Sequence, residues 1–107
     1  MKTKLTLNSP LKELQKYTAE MNIERGFSDE TVQEKIMLLM EEIGELCKAI
    51  RKNATNVKSA QDSKIHRIQD EFADVMLYIM ALANKLDIDL TRAIIEKEKE
   101  NSKRTWR

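Results

Sequence analysis

The stretch EEIGELCKAI (Glu41–Ile50) sets three carboxylates within five residues of an otherwise apolar helical segment. Further along, DEFADVMLYI (Asp70–Ile79) repeats the arrangement. Ile36, Leu39, Met40, Ile43, Cys47 and Ile50 recur at the helical period and predict a helix over about 29–52. At 100° per residue with Ile36 at zero, this stripe centres at about 340°, Glu42 at about 240°, Glu45 at about 180° and Glu41 at about 140°. A second stripe of Ile65, Ile68, Phe72, Val75, Met76, Ile79, Leu82 and Ala83 predicts a helix over about 64–86. With Ile65 at zero its core centres at about 310°, and Glu71 and Asp74 fall at about 240° and 180°.

In both helices the acids border the core on the same angular side. Two antiparallel neighbours built this way each present an i,i+3 pair, Glu42 with Glu45 and Glu71 with Asp74, to one cleft. Four such carboxylates repel one another unless a cation compensates, and magnesium, or manganese in its place, suits an all-oxygen site. A solvated acidic face is the competing reading, because 35% of the chain is charged.

The remaining pattern completes an all-α unit of four short helices in one domain, residues 1–107. Ser9-Pro10 reads as an N-cap and first-turn proline opening a helix over about 10–24, which Gly26 ends. Ser28 and Asp29 offer the next cap. The polar segment 53–63 reads as the longest connection, either a plain loop or a lid. Asp87-Ile88-Asp89 is a tight joint, with Asp89 capping a last helix over about 89–103 through Leu90, Ala93 and Ile94. Gly44 inside the second helix either permits close packing or has no role, and the methionines read as core filler.

Composition narrows the chemistry. Basic and acidic residues nearly cancel, 19 against 18, and no basic face or recognition motif points to nucleic acid. The lone Cys47 excludes an internal disulfide and reads as a buried small hydrophobe, and the single His66 excludes a histidine-based zinc cluster. The sequence carries neither a transmembrane-length apolar run nor a signal-peptide core, so a soluble cytoplasmic protein is expected.

The order Glu-Glu-x-x-Glu, a connection, then Glu-x-x-Asp resembles the MazG-like all-α nucleoside triphosphate pyrophosphohydrolases. LQKYTAEMNIERGF (Leu14–Phe27) resembles the first helix of that family, and DEFADVMLYIMALANKLDIDLTRAI (Asp70–Ile94) the third helix with its joint to the fourth. KEKENSKRTW (Lys97–Trp106) has the Lys97, Asn101, Arg104 spacing of the family's last helix, so the likeness spans nearly the whole chain. The resemblance implies magnesium-dependent hydrolysis between the α and β phosphorus atoms, giving a monophosphate and pyrophosphate, as in housecleaning of nucleotide pools. It implies Glu42, Glu45, Glu71 and Asp74 as metal ligands, with Glu41 or Glu45 as general base and Lys97 and Arg104 on the phosphates beside Asn101. Asn22, Arg25 and Phe27 are implied as contributors to a base pocket, with Tyr78 as a stacking or sugar-edge group. Phe27 stands where many relatives have tryptophan, which bears on base preference. Trp106 reads as a tail residue that packs across a subunit boundary. The family's homo-oligomers imply at least a dimer here, with a tetramer as the larger alternative.

Two other functions compete with this reading. One is a non-enzymatic helical dimer that binds a protein partner and has no affinity for magnesium. The other is a pyrophosphohydrolase of a phosphoribosyl-linked metabolite.

Overall fold

The computed structural model describes residues 2–53 and 61–104, and the side chains of all of these except 61–66. Four helices follow in order: α1 (Leu11–Glu24), α2 (Val32–Asn53), α3 (Gln61–Lys85) and α4 (Leu90–Asn101). The described residues contain no strand, so the all-α expectation holds. The lid reading falls largely on residues 54–60, outside the described residues, and 61–63 belong to α3.

The helix ends show which local signals the chain uses. Pro10 is itself the N-cap of α1 in extended conformation, without a side-chain cap. Ser9 does not cap α1; its hydroxyl accepts from the Thr6 amide. Gly26, at φ 79°, makes the left-handed turn that ends α1. The expected Ser28–Asp29 cap is replaced by a capping box three residues on. There the Glu34 amide donates to the Thr31 hydroxyl at 3.1 Å, and the Thr31 amide donates back to Glu34 Oε1 at 3.0 Å. Asp89 caps α4 as expected, accepting from the Arg92 amide.

α2 and α3 run antiparallel along most of their length. The start of α2 lies by the end of α3, where the Lys85 ammonium donates to Ser28 O at 3.1 Å. α1 packs on α3, and α4 packs on α1. The α3–α4 joint hangs on one buried side chain. Gln15 Nε2 donates to Asn84 Oδ1 at 3.0 Å and to Ile88 O at 2.6 Å, while its Oε1 accepts from the Leu90 amide. Asn84 returns a bond to Gln15 O at 3.0 Å. This amide pair satisfies the backbone of a joint in which Asp87 adopts φ 56°.

The core is small: Met21, Ala49, Val75, Met80, Ala81 and Ala83, with Thr18 fully enclosed. Several expected core positions lie outside it. Ile36, Met40 and Ile50 of α2, Phe72 and Met76 of α3, and Ile94 of α4 are exposed, and so are Cys47 and Ala93. The residues of α2 that turn inward are Val32, Lys35, Leu38, Leu39, Glu42, Ile43, Leu46, Ala49 and Asn53. Their mean direction is about 270° on the wheel above, so the packed face is rotated by about 70° from the expected stripe. Apolar residues cover more than half of the circumference of α2, and α3 covers one side only. Gly44 meets nothing within 4 Å of where its Cβ would be, so it serves no close approach among the described residues.

Candidate functional site

The rotation of α2 moves Glu42 from the rim of the core into the face that meets α3. There it joins Glu71 and Asp74, and each of the three offers a carboxylate oxygen within 4.8 Å of the others. Glu42 and Glu71 are half-buried, and Asp74 is exposed at the open side. The pKa of Glu42 is raised above 4.5 by burial first, then by the charges of Asp74 and Glu71, a hydrogen bond with Glu71 and the charge of Glu45. Glu71 Oε2 is buried and has no hydrogen-bond partner. An orphaned anionic oxygen facing two further carboxylates has no stable arrangement without a cation or a proton. The donor set is all oxygen, which fits a hard divalent ion.

Glu45 lies one turn beyond Glu42 and is exposed; its charge reaches Glu42, but its carboxylate is not among the three brought within 4.8 Å. Glu41 is exposed on the solvent side of the same turn.

A cleft of about 170 Å³ opens beside the acids, lined by residues of α1, the α1–α2 segment and α3. Met21, Phe27, Leu77 and Ala81 form its apolar walls, and Asn22, Arg25, Glu30, Asp74 and Tyr78 its polar ones. Asp74 belongs both to this cleft and to the acidic cluster, so the two form one continuous site. The pKa of Tyr78 is raised above 10 by burial first and then by the charges of Glu30, Glu42, Asp74 and Glu41, which keeps its hydroxyl protonated as a donor. The cleft falls short of the roughly 300–1,000 Å³ of a pocket enclosing a whole drug-sized ligand, so it has room for only one part of such a molecule.

Four positions expected at a base pocket, Asn22, Arg25, Phe27 and Tyr78, therefore line one cleft. The α4 residues do not join them. Lys97 is exposed and pairs with Glu100 at 3.7 Å, the Asn101 amide donates to Glu98, and neither these nor Arg104 line the cleft. The side chain of His66 and all of Trp106 lie outside the described residues. Glu30 and Lys35 were not legible as site residues. Lys35 is 3% exposed and donates to Glu30 Oε1 at 3.0 Å and to Phe27 O at 3.4 Å. A lysine on a helix ordinarily signals solvent, and only its tertiary surroundings reveal its role.

Residues 30–106 match the MazG nucleotide pyrophosphohydrolase domain. The chain is also similar to dCTP pyrophosphatase 1 of Rattus norvegicus, 29% identical over 98 residues, which are 88% of this chain and 58% of the relative. It thus spans little more than half of that protein's length. The cleft residues from α1 and Phe27 precede the matched segment, whereas the three clustered carboxylates lie inside it. The match covers well over half of the sequence, and the chain belongs to the MazG nucleotide pyrophosphohydrolase domain family.

Proposed function

We propose that the protein hydrolyses a nucleoside triphosphate between its α and β phosphorus atoms, releasing a monophosphate and pyrophosphate. The observation that carries this reading is the convergence of Glu42, Glu71 and Asp74 beside a cleft walled by Met21, Phe27, Leu77 and Ala81. Membership in the family and the name of the rat relative support it.

Glu42, Glu71 and Asp74 would hold magnesium, with the exposed Glu45 as the fourth carboxylate. The ion, when bound, neutralises the clustered charge and polarises phosphate oxygens. Phe27, Met21 and Leu77 take the base, and the Tyr78 hydroxyl donates to the sugar or base edge. Asp74, shared by cleft and cluster, sets the α-phosphate next to the carboxylates. A water oxygen adds to the α-phosphorus, the bond from that phosphorus to the bridging oxygen breaks, and pyrophosphate leaves with the bond electrons. Glu41 or Glu45, the carboxylates of the stretch outside the three-acid cluster, would accept the proton of the attacking water.

The protein acts as a dimer at least. Ile36, Met37 and Met40 of α2 and Phe72 and Met76 of α3 are all exposed on one chain, and a second copy would remove this apolar surface from water. Lys97, Asn101 and Arg104 would then serve the phosphates only if the association brings α4 of one copy toward the site of the other.

The test is a panel of ribo- and deoxyribonucleoside triphosphates with magnesium, assayed separately for pyrophosphate and orthophosphate. Pyrophosphate as the direct product, lost in Asp74→Asn, is the expected result. Orthophosphate as the direct product, or no turnover of any nucleotide, would overturn the reading.

A further inference from the structure

The cleft contains a carboxylate that the hydrolysis leaves without a role. Glu30 precedes α2, and Glu42 lies ten residues inside that helix from Val32, a rise of roughly 15 Å. The antiparallel α3 runs alongside, carrying Asp74 at the acidic cluster and Ala81 roughly 10 Å farther along its axis. Both Ala81 and Glu30 line the cleft, so it extends away from the cluster by a length comparable to that of a nucleoside. A substrate with its α-phosphate at Asp74 places its base at the Phe27–Glu30 end.

Buried Lys35 fixes that end. Its ammonium donates to Glu30 Oε1 and to Phe27 O, and the Glu30 amide also donates to Phe27 O at 3.3 Å. The Phe27 backbone and the Glu30 carboxylate are thereby held in one relative position. Among the described residues Glu30 Oε2 makes no hydrogen bond, and an ionised carboxylate can only accept. Asn22 and Arg25 stand on the α1 wall and carry donors. Glu30 is thus the acceptor-only group at the end remote from the cluster.

Cytosine, adenine and guanine carry an exocyclic amino group that can donate to such an oxygen. Thymine and uracil carry a carbonyl oxygen where cytosine carries its amino group. A carboxylate set to accept from that amino group meets lone pairs instead, and the ring N3–H is the one donor left on that edge. We propose, resting on the hydrolysis reading above, that Glu30 determines specificity: its Oε2 accepts from the exocyclic amino group, and the cleft selects triphosphates of amino-bearing bases.

The experiment compares magnesium-supported kcat and KM for deoxycytidine triphosphate, its 2-pyrimidinone analogue lacking the amino group, and thymidine triphosphate, with the unmodified protein and Glu30→Gln. The unmodified protein should favour the cytosine nucleotide over both others by at least about tenfold, chiefly through KM, and Glu30→Gln should bring the ratios within about threefold. Ratios within threefold in the unmodified protein, or ratios that survive in Glu30→Gln, would overturn the proposal while leaving the hydrolysis reading intact. No turnover of any nucleotide would overturn both. If Glu30→Gln fails to fold, the comparison with the 2-pyrimidinone nucleotide on the unmodified protein decides the matter.

Discussion

Glu42 of α2 and Asp74 of α3 bring carboxylate oxygens within 4.8 Å of each other, with Glu71 as the third member. Like charges this close destabilise the fold unless a cation or proton intervenes. Asp74→Asn therefore lowers pyrophosphate release by at least on the order of 100-fold, yet melts no lower than the unmodified protein in chelator. Addition of magnesium raises the melting temperature of the unmodified protein and leaves that of Asp74→Asn nearly unmoved. Thermal melts with and without metal check both parts.

The pH dependence of the metal-free protein follows from Glu42. Burial, and after it Asp74 and Glu71, hold its pKa above the unfolded value of 4.5, so the folded state binds the proton more readily. Between 4.5 and the raised value the native state carries more protons than the unfolded one. The contribution of Glu42 to stability is thus greatest below 4.5 and is lost as pH rises through the raised pKa. Melting temperatures across this window in chelator should decline less with pH in Glu42→Gln than in the unmodified protein.

Gln15 accounts for the orientation of α4. Its side chain makes three hydrogen bonds, to Asn84, to Ile88 O and from the Leu90 amide. Gln15→Leu leaves those part-buried partners unpaired and should cost about 1–3 kcal/mol in urea unfolding. The loss should appear first as faster amide exchange in the α3–α4 joint.

The exposed apolar face predicts self-association. Met40 is 60% exposed on one chain, in line with Ile36. Met40→Lys should shift the mass measured by light scattering toward that of one 12.5 kDa chain, while helicity is retained. An unchanged mass would place the subunit contact elsewhere.

Much of the architecture was legible without coordinates because its signals are local. Gly26 must turn left-handed, Asp89 must cap, and the 3.6-residue period marks four helices. The acids were legible as two i,i+3 pairs and Tyr78 as a residue of the same stripe, whereas Asn22, Arg25 and Phe27 were named only by the family likeness. The direction in which α2 faces was not legible. Ile36, Met40 and Cys47 form as good a stripe as Leu38, Leu39 and Leu46, and periodicity cannot rank two apolar faces of one helix.

The sequence by itself determined the helices, their order and the carboxylates available for chemistry, because propensity, caps and spacing act within a few residues. Tertiary packing decided which stripe of α2 meets α3, and so that Glu42 rather than Glu45 stands with Glu71 and Asp74. It also decided that Lys35 is buried and holds Glu30 and Phe27 together at the far end of the cleft. Those outcomes depend on which surfaces exclude water from one another, and burial of that kind is a property of the assembled helices.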